Sequence, residues 1–421
     1  MAENSILSTS GFCPGMLKEC CLPPGFPYRV CPDFWFPDGN VIICAANFAF
    51  KVHRGQLERH ADIFRTMLSI PQPDDTGGVI RLCDSPNDVY HLLRALYDGL
   101  YDKKSYASSE ATRLTTVRMR TIHRYFRQPF VQDFPFLASV LRMSCKYFIC
   151  IPRRQCLERL QSYFPVTLSD WDRRERMSLT PDGQYEPRHE IPTPIHIINL
   201  ARELNVGSVL PAAFYDLARY GTSKTAGGTE PLAHLVLDAS SSSSSSTPSS
   251  SSSPQIAPSS PRFTSPVLVQ DSAPVMLSHD DLVLTFRGRE ILQRSVAAFL
   301  DTQVKNRSPA EGCMGGQACR DAFYFVTLNT LRAVGGIAAG RDGDPLFTLG
   351  QMIDMLHHTE WVDGQYLRGL PMCGKCREEF IPAVYAGRQA IWDQIPEWFG
   401  LEPYDTLKAR DEELNERDLS P

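Results

Sequence analysis

The feature that most constrains this chain is an unbroken serine run, Ser240 to Ser246, continued to Pro266 by Ser, Thr and Pro with little that can enter a core. Such a segment cannot bury enough apolar surface to offset the entropy of ordering it. It reads as a flexible linker over residues 222–277, starting after the periodic stretch that ends at Tyr220 and stopping where Ser278 and Asp280 offer helix N-caps. A plain spacer is the favoured use, and phosphorylation of the tract is the alternative. Two folded halves remain, in keeping with a length of 421 residues.

Charge and apolar patterning exclude several function classes. The chain has 43 Lys and Arg against 48 Asp and Glu, a net charge of -5, too balanced for a molecule that coats nucleic acid as a whole. Glu3 stands where a secretory leader carries positive charge, and no continuous apolar core follows, so secretion is not expected. The most apolar run, Val41 to Phe50, is about half the length of a membrane span, and Lys51, His53 and Arg54 follow it. No membrane association is expected. Thirteen cysteines in such a chain read as reduced thiols with room for one metal site, in a cytoplasmic or nuclear protein. Cys13, Cys20, Cys21 and Cys31 fall in a Pro- and Gly-rich stretch, residues 1–33, read as poorly ordered and given no role.

In the first half, Val41, Ile42, Ile43 and Cys44 form a β-branched run, and Phe48, Phe50 and Val52 alternate with Ala49 and Lys51. With Asn47 as the turn, these predict a hairpin. From His53 the period changes, and Leu57, Ile63, Phe64, Met67 and Leu68 fit one or two short helices packed on it. Val79, Ile80 and Leu82 predict a third strand, and Val89, Leu92, Leu93, Leu96 and Tyr97 a helix. Two more helices, Phe136 to Tyr147 and Arg153 to Phe164, are separated by Pro152.

The segments FAFKVHRGQLERHADIFRTML and SVLRMSCKYFICIPRRQCLERL, in this setting, resemble the BTB/POZ domain over roughly residues 34–165. Val52, His53, Arg54, Leu57, Phe64 and Met67 match the family's hairpin-to-helix motif, and Tyr147, Cys156 and Leu160 its closing helices. LCDSPNDVYHLLRALYDG and PIHIINLARELNVGSVLPAAFYDLARYG are similar to a large fungal subgroup of the family, which brings no defined biochemistry with it. The resemblance implies an α+β interaction module. BTB domains form homodimers or hetero-oligomers, bridge cullin-type ubiquitin-ligase scaffolds to substrates, or recruit transcriptional corepressors, and the fold itself is not an enzyme. It also makes Asn40, His53, Arg54, Leu57, Phe64 and Met67 the candidate interaction residues. Asn40 departs from an Asp that many members set beside the Arg equivalent to Arg54, and Ala61 from a capping Ser. The third departure is an insertion at about residues 101–133. From the residues alone, His53 at a strand-to-helix junction is a structural hydrogen-bonder, and Leu57, Phe64 and Met67 are core.

Within the insertion, Arg113, Arg118, Arg120, Arg124 and Arg127 are interleaved with His123, Tyr125 and Phe126 and no acid. Such a patch can track a phosphate backbone or dock an acidic partner, but no nucleic-acid motif accompanies it and a solvated loop is the favoured reading. In the second half, Cys313 and Cys319 precede a Cys373-Gly-Lys-Cys376 knuckle. Four thiolates on two such loops can surround a structural Zn²⁺, with Gly374 letting the knuckle turn and the Gly-rich Met314 to Gln317 loop serving the first pair. Unliganded thiols and a redox Cys373/Cys376 pair are the alternatives. Asp342 and Asp344 read as turn and cap residues before a helix from Pro345, ahead of a carboxylate pair for acid–base chemistry.

The expected organisation is therefore a BTB/POZ-like domain, a helical extension at 166–221, the linker, a mostly helical domain at 278–400 and a mobile acidic tail at 401–421. The expected function is a non-enzymatic adaptor that binds itself or a cullin-type scaffold. A nuclear transcription cofactor and, from a different class, an enzyme built on Asp342/Asp344 or the Cys373 pair are the alternatives.

Overall fold

The computed structural model describes residues 28–70, 79–98, 130–179, 185–232, 234–236, 267–269, 273–334, 343–360 and 366–416. The architecture is α+β, a small four-stranded sheet within a largely helical chain. It divides into two compact units. The first takes Met1–Tyr125, Pro135–Arg153 and Leu232–Gln270; the second takes Phe126–Phe134, Arg154–Pro231 and Asp271–Pro421.

Unit 1 is built on β1 (Arg29–Trp35), β2 (Val41–Ala45), β3 (Phe48–Val52) and β4 (Val79–Leu82) in the order β1-β3-β2-β4. β2 and β3 pair antiparallel, with Val41 opposite Val52 and Ile43 opposite Phe50, while β1 and β4 flank them in parallel. Helices α1 (Arg54–His60), α2 (Asp62–Ser69) and α3 (Pro86–Tyr97) pack on this sheet. Leu57, Phe64, Leu92, Leu93 and Leu96 meet Ile43, Phe48, Phe50 and Val52 in one buried cluster. Cys44 and Ala49 point the other way, onto Val30 and Trp35, which explains why the hairpin reads as nearly continuous apolar sequence. Ser85 caps α3 by accepting the Asn87 amide at 3.3 Å, and Pro86 occupies the first turn. Next come α4 (Phe130–Lys146) and α5 (Cys150–Tyr163), both of which cross the division: residues 130–134 and 154–163 fall in unit 2, so the expected domain over 34–165 is not a single unit. Tyr147 and Lys146 both reach Asp84, at 2.5 and 2.6 Å, tying the end of α4 to the residues before α3.

Three expectations for this region change. Residues 29–33 belong to strand β1, and Cys31 is fully buried in the core. Pro32 and the neighbouring register shift mark β1 as an irregular edge strand, where a missing N–H is tolerated. α4 starts six residues before Phe136, with Pro135 inside it, so its first turn occupies the end of the expected insertion. Pro152 sits in the first turn of α5 and does not separate the two helices.

Unit 2 comprises α6 (Leu168–Met177), α7 (Pro187–Glu190), α8 (Pro194–Leu204), α9 (Leu210–Ala218), α10 (Thr222–Ala226), α11 (His279–Phe299), α12 (Gln317–Val334), α13 (Pro345–His357), α14 (Gly374–Trp398) and α15 (Tyr404–Glu416). α11 runs into a π-helical turn, Leu300–Val304. Every residue of α9 is buried, which makes it the central helix. Around it Phe214 stacks on Phe399 with centroids 5.4 Å apart, and Trp171 lies edge-on to Tyr215 at 5.2 Å and 5.6 Å from Trp392.

These contacts overturn the expected separation of 166–221 from 278–400: both belong to one unit. Arg388 of α14 also grips Asp172 of α6 through two bonds of 2.6 and 3.1 Å. Helical periodicity identifies an apolar face but not the helix it meets, and a linker in the chain is no barrier to packing. The stretch 401–421 is likewise not a free tail over its described part. α15 buries Leu407, and Asp411 accepts the Gly207 and Ser208 amides at 3.0 and 2.9 Å. The linker is narrower than 222–277. α10 opens that range, Thr229 bridges to Val275, and β5 (His234–Val236) pairs antiparallel with β6 (Val267–Val269). The serine run lies outside the described residues.

Candidate functional site

At the β3-to-α1 junction, the six candidate interaction residues divide by burial. Leu57 and Phe64 are 0 % and 1 % exposed and belong to the core, with Met67 packed against it, so they shape a surface without forming one. The Asn40 side chain accepts the Arg54 amide at 2.7 Å, filling the role of a helix cap that His53 leaves open. The Arg54 guanidinium turns instead to Glu58 at 2.6 Å. The Asn40 amide therefore meets the Arg54 backbone and not its guanidinium. His53 uses Nδ1 and its own amide on the Tyr97 hydroxyl, at 3.1 and 2.9 Å, and Nε2 on Asp38 at 3.2 Å. It is a structural bridge between α3 and the hairpin. Ala61 precedes α2 with no side-chain cap and is buried. Arg113, Arg118, Arg120, Arg124 and Arg127 lie outside the described residues.

Sequence reasoning missed an ionic network inside unit 2. Arg174, Arg188 and Arg219 face Asp216, Glu175 and Asp344, three cations against three anions. Asp216 is fully buried and meets Arg174 at 2.5 Å, Arg219 at 2.6 Å and Arg188 at 2.9 Å. Arg219 also holds Glu175 at 2.8 Å and Asp344 at 3.0 Å. Burial alone would raise the Asp216 carboxyl, but Arg174, Arg188 and Arg219 overcome it and hold the group well below the usual carboxylate range. The guanidiniums of Arg174 and Arg219 lie over the Trp171 ring at 4.4 and 5.0 Å. One signal was available: Arg174 shares the face of α6 that carries Leu168 and Trp171, and Asp216 is the single charged residue of the otherwise apolar α9.

Asp344 belongs to this network. One oxygen accepts the Tyr215 hydroxyl at 2.6 Å and the Phe347 amide at 3.1 Å and the other accepts Arg219, so it caps α13, and it also lines the cavity beside the network. Asp342, its expected partner, lies outside the described residues. A cavity of about 380 Å³ adjoins the network, with Trp171, Tyr185, Phe347 and Tyr385 among its walls.

The second-half cysteines do converge. The sulfurs of Cys313, Cys319, Cys373 and Cys376 all lie within 4.8 Å of one another, and those of Cys313 and Cys373 are 3.6 Å apart. Cys319 and Cys376 are buried, each in the first turn of its helix, α12 and α14. The glycine that matters is not Gly374, beside which a Cβ would meet open space, but Gly315. A Cβ there would stand 2.3 Å from the Cys319 sulfur. Gly312 and Gly316 turn the same loop at φ of 75° and 51°. Backbone amides aim at the sulfurs: Ala310 at Cys376 and Cys373 at Cys319, both at 3.3 Å. The Cys376 and Met314 amides hold the Cys373 thiol down at about 6, whereas burial pushes Cys376 up to about 12. The arrangement can place four sulfur ligands around one ion.

No protein-family model and no curated protein matches the sequence.

Proposed function

We propose that the chain is a non-catalytic protein-interaction scaffold whose unit 1 is a BTB/POZ-like module, and that it links a cullin-type ubiquitin-ligase scaffold to other proteins. The observation that carries this reading is the element order of unit 1: a hairpin, two short helices, a parallel strand and a further helix, with the motif residues Leu57 and Phe64 as the buried anchors. Asn40 and His53 support it by fixing the entry into α1. The non-catalytic part of the reading is supported by Asp344, whose carboxylate serves a cap and a buried arginine.

Among the described residues of unit 1, the exposed large apolar side chains are Ile70, Phe148 and Ile151, at 56 %, 51 % and 53 %. Phe148 stands at φ of 53°, at the turn between α4 and α5. Isolated exposed side chains are common, but two within four residues, Phe148 on this turn and Ile151 in the first turn of α5, are suited to contact. The test is affinity purification of the tagged full-length chain from its native cells, beside a full-length Phe148→Asp, Ile151→Asp variant. Recovery of a cullin-type scaffold with the wild-type chain and its loss with the variant is the expected result. Recovery of chromatin proteins alone moves the reading to a transcription cofactor. Recovery of neither overturns it.

A further inference from the structure

We propose that Cys313, Cys319, Cys373 and Cys376 bind one Zn²⁺ as a closed tetrathiolate centre that fastens the start of α12 to the start of α14. The inference rests on unit 2 alone and stands apart from the reading of unit 1.

Geometry comes first. Four sulfurs about 2.3 Å from a tetrahedral Zn²⁺ stand about 3.8 Å from one another. The observed cluster, with all four within 4.8 Å and one pair at 3.6 Å, already has this size without any disulfide among its members. A disulfide would require sulfurs about 2.05 Å apart. Four thiolates leave no open position on a tetrahedral ion, which is the pattern of a structural site.

Charge is the second argument. Zn²⁺ with four thiolates carries two net negative charges, which a partly buried site must offset. Two of the four sulfurs receive backbone N–H groups: Cys376 from Ala310 and Cys319 from Cys373. The N-terminal ends of α12 and α14 add their positive poles, since Cys319 and Cys376 lie in the first turns of those helices.

Third is the surrounding architecture. The two cysteine pairs are joined across 60 residues at Cys313 and Cys373. Behind them Phe323 of α12 packs edge-on against Phe380 of α14 at 5.4 Å, and the Arg307 guanidinium covers both rings at 5.9 and 5.4 Å. The ion would complete a contact that this aromatic pair begins. Gly315 admits the loop that passes over the Cys319 sulfur, and no larger residue would.

The test is elemental analysis of the full-length chain purified without chelator, together with replacement of the native ion by Co²⁺. The expected result is about one equivalent of zinc per chain. The Co²⁺ form should show the intense thiolate charge-transfer and tetrahedral ligand-field bands of a four-sulfur site. Cys376→Ser should lose the zinc, and Cys83→Ser, which changes an exposed thiol outside the cluster, should keep it. Should Cys376→Ser misfold, the wild-type metal content and cobalt spectrum still decide the matter. Less than about half an equivalent of zinc, a Cys313–Cys373 disulfide found by mass, or iron in place of zinc would each overturn the proposal.

Discussion

Trp392 donates its indole N–H to the carbonyl of Val166, 226 positions earlier in the chain, at 3.1 Å. The same ring stacks on Tyr404 at 5.5 Å and lies 5.6 Å from Trp171. One side chain thus draws together three stretches that look independent in sequence. Trp392→Ala should cost about 3–5 kcal/mol, the range for deleting a large buried aromatic. Urea denaturation followed by tryptophan fluorescence would show the midpoint falling across all of unit 2. Loss confined to α14 would mean that the stretches are not one cooperative core.

Asp216 faces three guanidiniums with no water-exposed surface. Asp216→Asn removes the carboxylate and leaves Arg174, Arg188 and Arg219 short of an anion, at a cost of about 3–5 kcal/mol near neutrality. The folded-state carboxyl titrates below its unfolded value near 3.9, so its stabilisation is complete above that pH and is lost as pH falls below it. Stability curves of wild type and variant should therefore converge under acid. A constant gap down to about pH 2 would contradict the assignment.

His91 is buried in α3 between the Tyr90 and Phe136 rings, with centroids 5.5 and 5.3 Å away. Burial, helped by Arg94, lowers its imidazole to about 4. The unfolded chain takes up its proton near 6.5, so unit 1 should lose stability as pH falls from about 6.5 towards 4, by about 3 kcal/mol at most. His91→Phe should remove most of that slope in thermal melts. His60, also lowered by burial, leaves a remainder. An unchanged slope in the variant would place the acid sensitivity elsewhere.

Asp411 accepts two amides from the turn before α9. Asp411→Ala should cost about 1–3 kcal/mol by leaving Gly207 and Ser208 unpaired. Ending the chain at Pro403 should cost more, since Leu407 and the Tyr404 ring are lost with it. Differential scanning calorimetry would resolve both. A truncated chain with the wild-type midpoint would return 404–421 to the status of a tail.

Local patterns were readable where one face of one element decides them. The alternation of Phe48, Phe50 and Val52 and the helical spacing of Leu92, Leu93 and Leu96 found their elements because each packs one side on a nearby neighbour. The Cys373/Cys376 knuckle was visible because its spacing is short. β1 was hidden because Pro32 and Asp33 interrupt Val30, Cys31, Phe34 and Trp35, and an edge strand tolerates that break. The Asp216 network was hidden because its members come from α6, α7, α9 and the residue before α13, and no single window contains them. Leu57 and Phe64 illustrate the converse: a motif residue can mark a surface-forming region while itself lying in the core.

The central claim, that unit 1 acts by binding proteins, is tested most directly by sedimentation velocity. The purified full-length chain would be run alone and mixed with a purified cullin-type ligase scaffold, beside the Phe148→Asp, Ile151→Asp chain checked for unchanged zinc content. The account predicts that the wild-type chain and the scaffold sediment as one complex, and that the variant leaves the scaffold boundary unshifted. Separate boundaries for the wild-type chain and the scaffold, with the chain alone sedimenting as a monomer, would contradict it.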